Sequence, residues 1–207
     1  MLPSARRALA SSPMSDIEQL KQLRQQTGIS IMECKKALEE ADGDIEKAKK
    51  ILRERGKEMI KARTGKESAQ GLVASYVHPG SRVGVLLELR CETDFVAKSE
   101  EFKKLAHEIC LQIAAMKPLF SKPEDIPENF LDGERKIYQK QLQNSGKPQE
   151  IIGKIIEGKI EKYKKEVSLV SQPWVKDETK TIGELIEQTA AKLGEKIEIA
   201  RFARYEI

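Results

Sequence analysis

The sequence predicts an α+β protein: an N-terminal bundle of three helices, followed by a helix-rich core domain with a small antiparallel sheet of about three strands. Three observations lead to this fold class. Apolar residues recur at helical spacing along most of the chain. The segment Gly71–Cys91 alternates apolar and polar residues around a Pro-Gly turn, and the chain ends in a second alternating segment. With 207 residues, the chain is long enough to bury the cores of two such domains.

Residues 15–56 predict the three-helix bundle. Capping boxes at Ser15–Glu18 and Ser30–Glu33 mark the beginnings of the first two helices. Each of the three helices is expected to end at a glycine: Gly28, Gly43 and Gly56. Amphipathic helices of this length form a compact bundle of marginal stability.

Residues 57–70 are polar and basic, and they predict a linker that is partly helical. Residues 71–207 form the predicted core domain, which opens with a β-hairpin around Pro79-Gly80. In its second strand, alternate apolar residues share one face: Val83, Val85, Leu87, Leu89 and Cys91. A helix is expected to begin after Ser99 and to stop at Pro118.

The remainder of the core predicts three further helices and a strand. A helix over Leu131–Asn144 and a second one after Pro148 have the pattern of an αα-hairpin. The segment VSLVSQPWVKDET predicts irregular or briefly extended structure. A capping box at Thr181–Glu184 begins the last helix. We expect the final strand, from Ile197, to pair with the hairpin.

The N-terminal segment, residues 1–14, differs in composition from the rest of the chain. It is rich in arginine and serine, lacks acidic residues and ends at a second methionine, Met14. An organellar transit segment, a remnant of cloning and an extension upstream of the start codon all fit this pattern. We exclude the segment from the fold and expect it to be disordered.

Composition and charge limit the classes of function. The 37 basic residues nearly cancel the 33 acidic ones, and the net charge of +4 is smaller than dedicated duplex binders show. No apolar run approaches the roughly 20 residues that span a bilayer. The cysteines lack metal-ligand spacing, which indicates a reducing compartment: Cys34, Cys91 and Cys110. We therefore expect a cytoplasmic protein, or one of an organellar matrix if residues 1–13 are a transit segment. We expect it to bind no membrane, metal or cofactor and no nucleic acid directly.

The sequence contains no complete catalytic motif. The spacing of Gly153–Lys159 matches a phosphate-binding loop, but Ile160 stands where serine or threonine would hold magnesium, and the match lies in a helical stripe. His78 and His107 are not accompanied by the pattern of a nucleophile and its base, and they predict surface residues. We therefore expect a protein that is not an enzyme.

Met32 is an apolar residue on a predicted polar face. The core face of the second helix centres near Cys34 and Leu38, so Met32 points almost opposite, between Lys35 and Lys36. Flexible apolar side chains on a wet face are typical of contact surfaces. The alternative is that Met32 packs against the linker or the second domain.

The segment CETDFVAKSEEF, residues 91–102, joins the second strand to the next helix. If that helix began at Phe95, the ring would lie seven residues before Phe102 and would join the core. If Ser99 is the N-cap instead, residues 93–98 form a separate turn from which Phe95 can project. Asp94 could then accept hydrogen bonds or repel another anion. The pattern leaves both interpretations open.

Several segments resemble one known family. LRQQTGISIMECKKALEEADGDIEKAKKILRERG resembles the N-terminal module of translation elongation factor Ts, a three-helix bundle similar to the ubiquitin-associated (UBA) domain. CETDFVAKSEEF resembles the most diagnostic segment of the same family. SRVGVLLEL, QPWVKD and IEIARFARYEI are also similar, in the family's order, so the resemblance covers residues 15–207. The length resembles the short form of the family, which has a single core unit.

The resemblance implies a non-catalytic guanine-nucleotide exchange factor for elongation factor Tu. In the family, the segment that matches Thr93, Asp94, Phe95 and Val96 enters the partner GTPase near the nucleotide and disturbs its Mg²⁺ ion. Because Mg²⁺ neutralises phosphate charge, this disturbance would weaken GDP binding. The alternative is a UBA-like module that binds proteins or RNA and has no exchange activity.

The resemblance also assigns partner contacts. Arg24, Met32 and Lys35 match family positions that contact the nucleotide domain of elongation factor Tu. Val83 and Gly84 match a turn of the core that also contacts the partner.

The chain departs from some members at one position and lacks a cysteine at another. Gln112 stands where some members have histidine, so a contact that needs an imidazole there is in doubt. Short members form homodimers through the core, which makes a homodimer plausible here. The final strand carries Ala203, so it offers no cysteine there to link two subunits.

Overall fold

The computed structural model describes residues 16–63, 65–143, 146 and 148–207. The predicted leader and the capping residue Ser15 lie outside these residues. The chain divides into two compact units between Gly56 and Lys57. Helices dominate both units and a small antiparallel sheet lies in the second, so the α+β class is confirmed.

The first unit contains the helices α1 (Asp16–Thr27), α2 (Ile31–Glu40) and most of α3 (Ile45–Ala62). Ser30 is the N-cap of α2, where its hydroxyl accepts a hydrogen bond from the Glu33 N–H (3.3 Å). Gly43 turns the chain between α2 and α3 with a φ of +80°, which glycine adopts without strain. The inward faces of the helices form one apolar cluster: Leu23, Cys34, Ala37, Leu38, Ala41, Ala48 and Leu52.

The predicted end of the third helix at Gly56 is wrong. Gly56 is buried within α3, which continues to Ala62. Glycine inside a helix costs about 1 kcal/mol relative to alanine, which favoured a break there. The apolar stripe resumes at Met59 and Ile60, and Ile60 packs against the core of the second unit. The segment predicted as a linker is therefore helical up to Ala62.

Over the described residues, the second unit continues after α3 with five strands and five more α-helices. In chain order these are β1 (Gln70–Val77), β2 (Val83–Cys91), α4 (Asp94–Ala97), α5 (Glu100–Met116), α6 (Glu128–Leu142), α7 (Gln149–Val167), β3 (Pro173–Trp174), β4 (Asp177–Thr181), α8 (Ile182–Leu193) and β5 (Ile197–Glu206).

The sheet of the second unit has β2 in its centre. Its strand order is β1-β2-β5, and both pairs are antiparallel, which confirms the predicted pairing of the final strand with the hairpin. One face of β2 is buried at period two and packs against α5 and α8. The main residues of this core are Val85, Leu87, Leu89, Cys91, Phe102, Leu105, Ile109, Ile113, Ile182 and Ile186.

The αα-hairpin of α6 and α7 has an apolar cluster of its own. Its buried residues are Ile126, Leu131, Ile152, Ile156, Ile160 and Val167. Pro148 precedes α7 as its N-cap residue, as the sequence indicated. The Gly153–Lys159 motif lies inside α7, where the backbone N–H groups serve the helix and cannot bind phosphate.

The predicted capping box before α8 is confirmed. The Thr181 hydroxyl accepts from the Glu184 N–H (3.1 Å), and the Glu184 carboxylate accepts from the Thr181 N–H (3.0 Å). Of the two alternatives for the segment before it, the briefly extended one is confirmed, because β3 and β4 pair as a short antiparallel hairpin. Within the described residues, no helix has the length and apolarity that crossing a membrane requires.

Candidate functional site

The turn between β2 and α5 decides between the two interpretations of Phe95. Residues Asp94–Ala97 form the short helix α4, separate from α5. The Phe95 side chain is 81% exposed, while Phe102 is fully buried in the core. Val96 is only 4% exposed and also lies in the core. The ring of Phe95 therefore projects from the fold, and its neighbour holds the turn in place.

Two consecutive N-caps determine this geometry. The Thr93 hydroxyl accepts a hydrogen bond from the Val96 N–H (3.3 Å) and caps α4. Ser99 caps α5 by accepting from the Phe102 N–H (3.3 Å), and its hydroxyl donates to the Val96 carbonyl (2.8 Å). The second cap ends α4 after a single turn. Phe95 and Val96 therefore point to opposite sides, one outward and one inward.

Asp94 lies beside Phe95 as an exposed, ionised carboxylate. Its Oδ2 atom is 2.7 Å from the Lys98 Nζ atom, and this hydrogen bond holds the pKa of Asp94 below its ordinary value. An exposed ion pair of this kind contributes little to stability. Asp94 can therefore leave Lys98 for another partner at small cost.

Glu92, just before the turn, is a site residue that sequence reasoning missed. Its carboxylate accepts two hydrogen bonds from Arg63 (2.7 and 2.8 Å) and one from the Lys196 N–H (2.8 Å). Burial would raise the pKa of Glu92, but the hydrogen bonds from Lys196, Arg63 and Lys66 outweigh it and hold the pKa at about 2. No local pattern could have indicated Glu92, because its partners are distant in sequence.

Arg24, Met32 and Lys35, the predicted contact residues of the first unit, are all exposed. Met32 is 63% exposed, as an interpretation of Met32 as a contact residue requires. Lys35 forms only an exposed i,i+4 pair with Glu39, with 3.8 Å between Nζ and Oε1. The structure thus places an apolar side chain beside a basic one on the outer side of α2.

Lys35 also borders an open groove between α1 and α2. The groove has a volume of about 540 Å³. Its lining mixes apolar and charged side chains: Asp16, Ile17, Gln19, Leu20, Lys35, Leu38, Glu39, Asp42 and Gly43. The groove extends the exposed region around Lys35 towards α1.

Val83 and Gly84 begin strand β2, so their assignment to a turn is wrong. Val83 pairs with Glu206, and Gly84 pairs with both Val77 and Tyr205. The strand extends this far because β5 continues beside it to Glu206. Both residues are half-buried, and open space surrounds the position where Gly84 would carry a side chain.

Gln112 lies inside the fold and is fully buried. Its Nε2 atom donates to the Pro173 carbonyl (3.0 Å) and to the Gln172 side chain (3.2 Å). Its Oε1 atom accepts from the Val175 N–H (2.9 Å). Gln112 therefore fastens the β3–β4 hairpin to α5 and has no exposed surface to offer a partner.

The histidines and cysteines do not assemble into a reactive site. His78 and His107 are exposed and flank Tyr76, whose hydroxyl is 2.9 Å from the His78 Nδ1 atom. Burial raises the pKa of the Cys91 and Cys110 thiols to about 11, which keeps both protonated. Over the part of the chain that the structure describes, no group of three His, Cys, Asp or Glu side chains could hold a metal ion.

Comparisons with known proteins agree with one another. The family model Elongation factor TS matches residues 7–207. Elongation factor Ts of Coprothermobacter proteolyticus is 50% identical over 188 residues, which are 91% of this chain and 95% of that protein. Elongation factor Ts of Desulforamulus reducens is 48% identical over 188 residues, 91% of this chain and 87% of the relative. That of a Thermoanaerobacter species is 48% identical over 193 residues, 93% of this chain and 95% of the relative. The chain therefore belongs to the elongation factor Ts family.

Proposed function

We propose that the protein is a guanine-nucleotide exchange factor for elongation factor Tu and promotes GDP release during translation elongation. The observation that carries the proposal is Phe95, a large aromatic side chain 81% exposed on a turn that two caps fix in place. The exposure of this aromatic ring to water is explained if a partner protein buries the ring in a complex. The chain's family membership supports elongation factor Tu as that partner, and since the relatives are bacterial we propose the cytoplasm as the setting.

The proposed mechanism divides the TDFV segment into two parts. Thr93, Asp94 and Phe95 are exposed and would approach the partner, whereas Val96 is buried and would hold the turn. Phe95 would insert near the nucleotide, and Asp94 would disturb the ligand shell of Mg²⁺. Because Mg²⁺ neutralises charge on the phosphates, its displacement weakens the binding of GDP.

The energy for this disturbance would come from burial in the complex. Burying an aromatic ring is favourable by a few kcal/mol, and each 1.4 kcal/mol is about tenfold in affinity. The coupling is reciprocal, so GDP weakens the binding of the factor as much as the factor weakens the binding of GDP. GTP loading would then release the factor.

Arg24, Met32 and Lys35 would supply affinity for the nucleotide domain of elongation factor Tu. Met32 offers apolar area and the two cations offer electrostatic attraction, all on exposed helix surface. We propose Val83 and Gly84 as a second contact at the beginning of β2.

The test is stopped-flow release of mant-GDP from purified elongation factor Tu, with and without the protein. We expect release to accelerate until the protein saturates its partner. If the complex forms and the release rate is unchanged, the proposal is wrong. Capture of ubiquitin-like proteins or RNA, with no elongation factor Tu, would instead favour the UBA-like alternative.

We also propose a homodimer through the outer sheet face, defined as the exposed side of the β1-β2-β5 sheet. It exposes four large apolar side chains, beside an ion-paired cluster of Glu88, Arg90 and Arg201: Val73, Val77, Leu86 and Tyr205. Gly84 and Ala203 lie among them and would permit close approach of a second sheet. Leu86→Lys should shift the protein from dimer to monomer in sedimentation equilibrium. A wild-type protein that is monomeric at all concentrations would exclude this dimer.

A further inference from the structure

Glu195 contacts the turn that carries Phe95 from a distant part of the sequence. It lies between α8 and β5, and its side chain reaches the residues just before α4. The Glu195 Oε2 atom accepts from the Glu92 N–H (3.1 Å) and the Thr93 N–H (3.0 Å). The Oε1 atom accepts from the Thr93 hydroxyl (2.6 Å). One carboxylate thus receives three hydrogen bonds from the chain entering α4.

We infer that Glu195 is a positioning residue for Phe95, an inference that rests on the proposed function. The Thr93 hydroxyl has a single proton, and it donates that proton to Glu195. The oxygen then presents its lone pairs to the Val96 N–H, which is the cap of α4. The carboxylate thereby fixes the orientation of the N-cap, and the N-cap fixes α4.

The short helix needs such external support. A helix of four residues is far below the length that is stable in isolation, because nucleation costs more than one turn returns. Phe95 is 81% exposed, so the position of its ring follows from the backbone of α4. The cap at Thr93 and the burial of Val96 and Ala97 are the contacts that set this backbone.

A second carboxylate holds Glu195 in the correct place. The Glu92 carboxylate accepts from the Lys196 N–H (2.8 Å), while the Glu195 carboxylate accepts from the Glu92 N–H (3.1 Å). The residue that follows β2 and the residues that precede β5 are thus joined by two hydrogen bonds, and in each a carboxylate of one segment accepts from a backbone N–H of the other. Arg63 completes the arrangement by pairing with Glu92. Charged acceptors make these bonds stronger than neutral ones.

Loss of the Glu195 carboxylate should lower the rate of exchange and spare affinity. For Glu195→Ala we expect mant-GDP release at saturating factor to slow about tenfold, because the free energy of one charge-assisted hydrogen bond corresponds to a change of about that size. The concentration that gives half-saturation should change little, because Met32 and Lys35 lie in the other unit. Glu195→Gln keeps the shape of the side chain but has only one acceptor oxygen, so its rate of mant-GDP release should lie between those of the wild type and Glu195→Ala.

Two matched controls separate the hydrogen bond from general effects. In the free protein, Thr93→Ser keeps the hydroxyl and should retain the protection of the Val96 N–H against hydrogen exchange, whereas Thr93→Val removes the hydroxyl at equal shape and should lose this protection as Glu195→Ala does. Glu198→Ala removes a carboxylate whose ion pair is with Lys196, two residues earlier in the chain, and it should leave the rate unchanged. If Glu198→Ala and Glu195→Ala lose the same rate, the inference is overturned.

A double-mutant cycle tests whether Glu195 acts through Phe95. If it does, the variant Glu195→Ala/Phe95→Ala should release GDP at the rate of Phe95→Ala alone. A purely structural role, or an independent contact with the partner, would give losses that multiply, and this result would contradict the inference. Thermal melts of all variants exclude global unfolding as the cause, and Glu195→Gln replaces Glu195→Ala if the latter does not fold.

Amide hydrogen exchange in the free protein separates failure of this inference from failure of the proposed function. If Glu195 positions the turn, Glu195→Ala should reduce the protection of the Val96 N–H about tenfold, whatever the partner is. Unchanged protection of Val96 would overturn the inference. If Phe95→Ala does not affect GDP release but Glu195→Ala exposes Val96, the proposed function fails and the positioning of the turn stands.

Discussion

The turn α4 and the outer side of α2 both expose an apolar side chain, but they hold it in different ways. Met32 is 63% exposed on a helix of ten residues, and its position depends on that helix alone. Phe95 is 81% exposed on a helix of four residues, and its position depends on caps, a buried neighbour and a distant carboxylate. A surface that supplies affinity needs only an exposed helix face. Under the proposed function, a side chain that distorts the partner at one point would need support from the core.

The charged residues around Met32 and around Phe95 also differ in what they contact. Around Met32, Lys35 pairs with an exposed carboxylate one helical turn away, and such pairs contribute little and are screened by salt. Around Phe95, the charges that matter are those of Glu92 and Glu195, which accept hydrogen bonds from the backbone. We therefore expect the two regions to respond differently to mutation, salt and pH.

Phe95→Ala should produce the largest effect. We expect GDP release from elongation factor Tu at saturating factor to slow by about tenfold or more, because under the proposed function burial of the ring would supply the energy for distortion. The Tm should hardly change, since the ring is 81% exposed in the free protein. Stopped-flow kinetics and a circular dichroism melt measure the two quantities.

The matched control is Phe102→Ala, which removes the same ring seven residues later from the buried core. Loss of a buried phenylalanine costs about 3–5 kcal/mol, so this variant should melt at a much lower temperature. If Phe95→Ala melts in the same way and keeps its exchange rate per folded molecule, Phe95 belongs to the core and the comparison fails.

Met32→Asp should weaken the complex about tenfold without changing the rate at saturation. The substitution removes apolar contact area and adds a charge that would be buried in the interface. Isothermal titration calorimetry with nucleotide-free elongation factor Tu measures the affinity. Ile151→Asp, at an exposed apolar position of α7, is the control. Equal affinities for wild type and Met32→Asp would remove Met32 from the interface.

Salt should affect the affinity for elongation factor Tu more than the rate of GDP release at saturating factor. Raising the salt from about 0.05 to 0.5 M should weaken the complex several-fold, because Arg24 and Lys35 are exposed and screened. The rate at saturation should change by less than about twofold, since under the proposed function Phe95 would act by apolar contact. Lys35→Ala should reduce the salt dependence of the affinity. A salt dependence that is equal in this variant would show that Lys35 does not face the partner.

The pH dependence of Glu92 should appear in the stability of the free protein. Its folded-state pKa of about 2 lies below the ordinary value of 4.5, so its contribution is present above the ordinary value and is lost as pH falls through the folded one. Glu92→Gln should therefore lower the free energy of unfolding by about 1–2 kcal/mol above pH 5, with the difference vanishing towards about pH 2. Urea titrations across this range measure it, and a constant difference would mean that the carboxylate charge is irrelevant.

Local signals accounted for most of the fold. Thr181 was correctly predicted as an N-cap, Ser99 as the N-cap of α5 was one of two interpretations left open, and the alternation in β2 and β5 correctly predicted the antiparallel sheet. These features depend on residues a few positions apart, so they can be predicted from the sequence. The prediction failed at Gly56, where a local rule favoured a break but Ile60 has apolar partners in the core that extend the helix.

The sequence by itself determined the α+β class, the caps and the presence of an acid and an aromatic ring at the entrance to α5. The tertiary structure alone decided that Phe95 points outward while Val96 points inward, and that Gln112 is buried. It also brought Glu195 against Thr93, 102 residues away in sequence. The physical reason is the sequence separation of the interacting residues. Caps and periodicity involve residues a few positions apart, whereas burial and long-range hydrogen bonds form only once the sheet has brought β5 beside β2.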